Sequence, residues 1–330
     1  MAAITIFNAV AARASCNQGS AGPCCFASPE PDKPRLGSLL GGLSRRDTIF
    51  LSTGGLAYAK LLGDVLFRLS RGDAYPPEHE DRVRSTFRTA IVEAARSAAD
   101  RDGQTKRPLR VLEVGVGPRC RVASQGLYGA AMDDVLLLGS TREGEQGAAF
   151  PISWVELVGI DLTAPSADAV DGAREALSRP DGCVLPWFRV TFDACEGDLT
   201  AGLPYASGSF DCVLSALTLC SVADQEKALE EIHRLVNPRG GTFGYVEHVA
   251  VRLDEEAETG RKWLDWQQRT LDPLQQLVAD NCHLHRDTDL GIRNEFRVGE
   301  GAKLLANERF FVDDMWPVSC QCAGVVQMLG

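Results

Sequence analysis

Three features of the chain predict an α/β fold: a doubly wound, Rossmann-like sheet of seven strands, mostly parallel, with an antiparallel edge strand. Apolar runs of strand length recur from residue 109 onward, amphipathic helical stretches separate the earlier ones, and glycines or acids stand directly after strands. Strands alternating with helices make a parallel sheet, and in such sheets ligands bind beyond the carboxyl ends of the strands. The chain has 330 residues, 45% hydrophobic and 24% charged, which is enough for one large α/β domain with an extension.

The first elements do not belong to that pattern. Residues 1–47, "MAAITIFNAVAARASCNQGS…", are rich in Ala, Ser and Gly, carry a few arginines and almost no acid, and show no sustained period. They read as an organelle transit peptide, with a plastid as first address and the mitochondrion or the endoplasmic-reticulum membrane as alternatives. Residues 48–77 form an apolar linker preceded by the twin arginines Arg45 and Arg46 and carrying Ala57-x-Ala59. That stretch reads either as a second signal or as a helix lying on a membrane; Lys60 and Asp64 interrupt it too early for a span of roughly 20 apolar residues. The folded domain is expected over 78–330.

From Glu78 to Asp100 the residues Val83, Phe87, Ile91, Ala94, Ala95 and Ala98 recur at helical spacing, so one face of this helix is to be buried. "LRVLEVGV" comes next as a nearly continuous apolar run, as a central parallel strand covered on both faces requires. Further strands are read at "WVELVGID", "FDCVLSAL", "TFGYVEHV", "RFFVDDMW" and "CAGVVQML", the last two as an antiparallel pair. The helix "DQEKALEEIHRLV" presents Ala228, Leu229, Ile232 and Leu235 on one side. A segment containing "TREGEQGAAF" is read as an inserted loop between the first two strands.

Charge and cysteine usage narrow the function. A formal net charge of −11 makes the surface as a whole repel phosphate backbones and anionic lipids, so nucleic acid is not an expected partner. The 11 cysteines lack the dense spacing of small secreted domains and contain no C-x-x-C pair, so they are read as mostly reduced. Cys282, His283 and His285 could offer zinc donors, but a fourth ligand is not evident and no metal is assigned.

The chemistry is expected at the strand ends. In "VLEVGVGPRC", Gly115 and Gly117 let the backbone turn and approach a ligand closely, and Glu113 could meet a cationic group. A dinucleotide loop wants G-x-G-x-x-G; here Cys120 stands at the third position, which disfavours NAD. Asp161 ends the second strand in "VGID", where an acid can take both hydroxyls of a ribose. Asp198 and Leu199 in "EGDLT" put a carboxylate beside an apolar wall, suited to an adenine. His248 and Glu247, in "YVEHV", are the candidate catalytic residues: an imidazole able to take a proton from an acceptor, and its acidic neighbour. His79 and His233 lie on helices and are read as surface or packing residues.

The pieces "VLEVGVG", "LVGID", "GDLTAGLPYASGSFDCVLSALTL" and "LEEIHRLVNPRGGTFGYVEHV" together resemble a class I S-adenosylmethionine-dependent methyltransferase of the type 11 family. "LTLCSV", "VEHV" and "WLDWQQRTLDPLQQLVADNCHLHRDT" resemble its thiol S-methyltransferase branch. The resemblance implies S-adenosyl-L-methionine as cofactor, with Glu113, Gly115 and Gly117 at its methionine end, Asp161 on the ribose, Asp198 and Leu199 on the adenine, and Ser215, Ala216 and Leu217 flanking the sulfonium and methyl. It also implies a cap on the acceptor pocket at "NCHLHRD". Arg119 departs from the family loop, where a third glycine is usual. Trp263, Trp266, Leu264, Leu271, Leu274 and Leu277 form an apolar helix that either roofs an acceptor site or packs in the core. The expected activity is methyl transfer to a small apolar acceptor, an alkyl thiol in preference to a quinone, phenol or lipid; a non-catalytic nucleoside-binding or interaction protein of the same fold is the alternative. Membrane association through the N-terminal segment is allowed, and oligomeric state is not set by the sequence.

Overall fold

The computed structural model describes residues 75–102, 107–142, 152–178 and 189–330, so the transit-peptide and second-signal readings of 1–74 and most of the "TREGEQGAAF" loop lie outside the described residues. Helix α1 (Pro77–Asp102) leads into β1 (Arg107–Val114), a short helix α2 (Arg121–Ser124), α3 (Gly129–Arg142) and β2 (Ile152–Asp161). Then come α4 (Ala167–Leu177), β3 (Arg189–Glu196), β4 (Cys212–Ala216), α5 (Gln225–Leu235) and β5 (Thr242–His248). The chain continues through α6 (Lys262–Val278) and α7 (Thr288–Glu295) to β6 (Ala302–Phe311) and β7 (Cys320–Met328).

The seven strands form one sheet in the order β3-β2-β1-β4-β5-β7-β6. Strand β1 pairs in parallel with β2 on one side and β4 on the other, so the chain winds outward from β1 and then returns to wind the opposite way. That reversal opens a crevice beyond the ends of β1 and β4, where a doubly wound sheet takes its ligand. Alternate residues of each strand serve the two faces. Leu109 and Val111 join α1 and Tyr128 in one apolar core, while Leu112 and Val114 join α5 in the other.

Helix α1 behaves as its periodicity predicts: Val83, Phe87, Ile91, Ala94, Ala95 and Ala98 are all buried. It packs so closely on β5 that a Cβ on Gly244 would stand 2.7 Å from the Cβ of Ala90. Helix α5 starts on an Asp224 cap, whose side chain accepts the amide of Lys227 at 3.2 Å. It ends where "VNPRGG" turns back into β5: Gly240 adopts φ +81°, and the Gly241 amide donates to Asn237 O at 2.9 Å.

Two sequence expectations need correction. The segment between β1 and β2 read as holding an inserted loop also contains a helix, α3, which reaches the first two residues of "TREGEQGAAF", Thr141 and Arg142. The antiparallel edge is as expected: β6 and β7 form an antiparallel pair that closes that side of the sheet, with β7 against β5 and β6 outermost. Strand β6 also begins at Ala302, whereas Asp313–Met315 within "RFFVDDMW" is a 3-10 turn. Its first part, exposed or half-exposed through Lys303, Asn307 and Glu308, offers no apolar run to read, so only its end at Arg309–Phe311 falls within the expected strand. The edge strand β3, partly exposed along its length, is hidden from hydropathy for the same reason.

At the end of the sheet away from the crevice, Asp211 is buried before β4. It accepts from Arg101 at 2.8 Å, from Arg107 at 2.7 and 2.8 Å, and from the Arg110 amide at 3.1 Å. Asp211→Asn removes the carboxylate that Arg101 and Arg107 share and leaves Asp102 alone to pair both guanidiniums, so unfolding in urea should show a loss of about 1–2 kcal/mol.

Candidate active site

The loops that leave the carboxyl ends of the parallel strands line the crevice. After β1 the backbone turns at Gly115, with φ +72° and its amide donating to Ile160 O at 2.7 Å. A Cβ at Gly115 would lie 1.9 Å from Thr218 Oγ1, so any side chain there would drive the β4–α5 loop away. Gly117, at φ +70°, has no atom within 4 Å of where its Cβ would be. One glycine thus lets two loops meet, and the other leaves open space for a ligand to approach the backbone. Cys120 takes a left-handed φ of +49° where a third glycine would be expected, and Arg119 is exposed on the turn before it.

Glu113 is buried beneath this loop, and the Tyr128 hydroxyl donates to its carboxylate at 2.6 Å. Burial pushes its pKa up to about 7, against the lowering effects of the Tyr128 hydrogen bond and the charge of Arg121. Asp161, half-buried at the end of β2, accepts the Gly117 amide at 2.9 Å and the Thr163 amide at 3.3 Å. Asp198, after β3, accepts the amide and hydroxyl of Thr200 at 2.8 and 2.7 Å, and Leu199 beside it is buried in the apolar core. Ala216 and Leu217 are half-buried at the end of β4, where Leu217 adopts φ +55° and donates its amide to Val246 O at 3.0 Å. The structure therefore brings Glu113, Gly115, Gly117, Asp161, Asp198 and residues 215–217 to one end of the sheet.

Glu247 and His248 are both fully buried. The Glu247 carboxylate accepts from Ser215 Oγ, from the Thr218 amide at 3.1 Å and from the Leu219 amide at 3.1 Å. Burial raises its pKa to about 7 although these donors pull the other way. Glu247, read as a catalytic candidate, thus has its carboxylate engaged by the loop after β4. The His248 ring donates from Nε2 to Leu284 O at 3.1 Å, while Nδ1 is buried without a partner and shares a cluster with Cys220 and Cys282. Cys282 is therefore not grouped with His283 and His285; the latter sits 3.3 Å from Asp265.

Several residues of this region carry no local sequence signal. The Arg121 guanidinium binds Glu80 at 2.7 Å and lies 4.5 Å from the centre of the Tyr75 ring, tying the start of α1 to the glycine loop. His79 is fully buried rather than a surface residue, with Nδ1 2.8 Å from Gln321 Oε1 and Nε2 without a partner. Burial lowers its pKa to about 4, so it is neutral at pH 7. His233 is half-buried, 2.8 Å from Glu295 and against the Phe296 ring. The core-packing reading of α6 also needs correction. Trp263 and Trp266 stack on each other 4.6 Å apart but are 66% and 48% exposed, and only Leu264 of the residues singled out there is buried. Among the described residues no helix is long and apolar enough to cross a membrane, and no disulfide is present.

Residues 144–243 match the family described as a methyltransferase domain, and the strand order is that of a doubly wound, Rossmann-like sheet. Over 83 residues, 25% of this chain, the sequence is 42% identical to human thiol S-methyltransferase TMT1A and 39% identical to rat thiol S-methyltransferase TMT1B. The matched stretch spans about a third of the length of these curated relatives, 31% in each. Among solved structures, a loganic acid methyltransferase with SAH aligns at 9% identity and TM-score 0.45, covering 76% of this chain and 94% of its own. A SAM-dependent methyltransferase from Methanosarcina mazei aligns at 14% identity and TM-score 0.39, covering 68% and 95%.

The raised pKa values have a consequence for stability. Glu113 and Glu247 bind protons in the folded state between about pH 4.5 and 7, where the unfolded chain has released them. Stability contributed by each is present below pH 4.5 and falls as pH rises through about 7. In chemical denaturation between pH 5 and 7.5, Glu113→Gln should remove on the order of 2–3 kcal/mol of that fall.

Proposed function

We propose that this protein is an S-adenosylmethionine-dependent methyltransferase acting on a small apolar acceptor, with an alkyl thiol as the acceptor class. The observation that carries the reading is the set of three carboxylates, Glu113 near the end of β1, Asp161 at the end of β2 and Asp198 just after β3, around a loop whose Gly117 faces open space. The methyltransferase-domain match supports the donor. Likeness to thiol S-methyltransferases over a quarter of the chain supports the thiol.

When bound, S-adenosylmethionine supplies a methyl group on a positively charged sulfur, ready for in-line displacement by a nucleophile. The chain has to bind, orient and exclude water. Glu113 would take the donor's ammonium, and Asp161 the ribose hydroxyls in place of the Gly117 and Thr163 amides it now accepts. Asp198 would receive the adenine amino group beside Leu199. The half-buried Ala216 and Leu217 give the reacting centre a dry wall, and Glu247 keeps the loop that carries them in place. An acceptor thiol would attack as the thiolate, its proton having gone to solvent, and the new carbon–sulfur bond would form as the methyl–sulfonium bond breaks, leaving a neutral thioether.

Calorimetric titration tests the donor. Asp161→Asn should weaken S-adenosylmethionine and S-adenosylhomocysteine roughly 10- to 100-fold, the loss of charge-assisted hydrogen bonds. Arg119→Gly should leave donor affinity equal or tighter, since Arg119 is exposed on the turn. NAD should give no heat; heat with NAD and none with either sulfur nucleoside overturns the reading. Because a bound ammonium favours ionised Glu113, donor affinity should rise between pH 6 and 8, and Glu113→Gln should flatten that rise. Radiolabelled methyl transfer to a panel of alkyl thiols, phenols and quinones identifies the acceptor; donor binding without transfer to any of them would indicate a nucleoside-binding protein.

A further inference from the structure

We propose that Cys220, His248 and Cys282 form a binding site for a single zinc(II) ion. The three residues come from the loop after β4, the end of β5 and the turn after α6, and all three are buried. Their donor atoms lie within 4.8 Å of one another, and the two sulfurs are 3.8 Å apart. Metal–sulfur bonds of about 2.3 Å at a tetrahedral angle place two sulfurs roughly 3.8 Å apart, so the ion fits between them without rearranging the pair. Thiols in van der Waals contact would show a similar separation. What distinguishes a metal site is the imidazole.

His248 donates its Nε2 proton to the Leu284 carbonyl at 3.1 Å, which leaves the Nδ1 lone pair exposed to the cluster, buried and without a partner. A buried acceptor left unsatisfied is costly. Holding one ring nitrogen on a backbone carbonyl while the other stays deprotonated is how proteins orient a metal-binding histidine. The surroundings hold both cysteines in place. The His283 amide donates to Cys220 O at 2.9 Å, and Asn281 Nδ2 donates to Ser221 O at 3.0 Å. The Arg286 guanidinium donates to the carbonyls of Leu219, Cys220 and Val222 at 3.2, 3.3 and 2.7 Å, which adds positive charge beside the two sulfurs.

Two thiols and one imidazole select a borderline-soft metal over magnesium or calcium, which need oxygen donors. On binding, zinc(II) replaces the two thiol protons, which leave to solvent, and forms two metal–thiolate bonds and one bond to Nδ1; no oxidation takes place. Three protein donors leave one tetrahedral position for a small exogenous donor, the ligand set of an open rather than a closed zinc site. The site stands independently of the methyl-transfer reading.

The test uses the full chain, kept reduced and stripped with a chelator, then loaded with zinc chloride, gel-filtered and analysed by mass spectrometry for metal content. Wild type should retain one zinc per chain. Cys220→Ser, Cys282→Ser and His248→Asn should each lose it, with affinity lower by at least about 100-fold, whereas Cys322→Ser, outside the cluster, should bind as wild type. Because buried substitutions can disturb folding, cobalt(II) is titrated into unmutated protein. A near-ultraviolet thiolate-to-cobalt band with intense visible transitions reports tetrahedral coordination by sulfur. No retained zinc and no such band overturn the proposal, as does zinc retained equally by all variants. Ready formation of a Cys220–Cys282 disulfide in a protein that takes up no metal likewise overturns it and assigns the pair to thiol exchange. Calorimetry with S-adenosylhomocysteine on the same stripped protein reads the donor site separately, so the two proposals fail independently.

Discussion

The carboxylate of Glu247, enclosed at the end of β5, is the contact on which the site's geometry depends. It accepts from Ser215 and from the amides of Thr218 and Leu219, and so pins the β4–α5 loop to the sheet. Thr218 in turn occupies the space that a side chain on Gly115 would need, and Cys220, two residues on, reaches His248 and Cys282. A carboxylate buried without donors would cost several kcal/mol; three donors offset that cost without removing it, which is why its pKa stays near 7. One acid therefore sets the relation between the glycine loop, the end of β4 and the cluster beside it.

The two ends of the sheet use acids for opposite purposes. Asp211, at the end away from the crevice, is surrounded by Arg101, Arg107 and a backbone amide, an arrangement that holds the fold. Asp161 and Asp198, at the crevice, accept only from neighbouring amides and a hydroxyl and are half-buried, so a ligand's donors can replace those partners at small cost. Beyond β5 a third group of charges serves the covering segment. Arg309 of β6 binds Glu258 and Asp289, and Arg252 binds Asp287 at 2.6 Å and Asp289 at 2.9 Å. These pairs are partly shielded from water, unlike the exposed pairs on α1, and they hold the stretch from residue 250 to 290 that carries Cys282 and Leu284.

Legibility of the fold tracked burial. Central strands such as β1 and β5, covered on both faces, are continuous apolar runs and were readable; of the half-exposed edge strands, β3 was not, and β6 only at its apolar end, Arg309–Phe311. Helices α1 and α5 announced themselves through one apolar face each. Helix α6 turns Leu264 into the core while its tryptophans stack and stay exposed, because composition does not say which way a helix is turned.

The sequence by itself determined the doubly wound order of elements, the glycine turn after β1 and the acids after the next strands, because each arises from local periodicity and from residue types that permit a turn or carry charge. Only the tertiary structure decided what meets what. Tyr128 on Glu113, Arg121 on Glu80, and Cys220 with His248 and Cys282 are pairings between segments 15 to 62 residues apart. Nothing in the spacing of such residues encodes their contact. It arises when the sheet brings the ends of its strands together and the helices close over them.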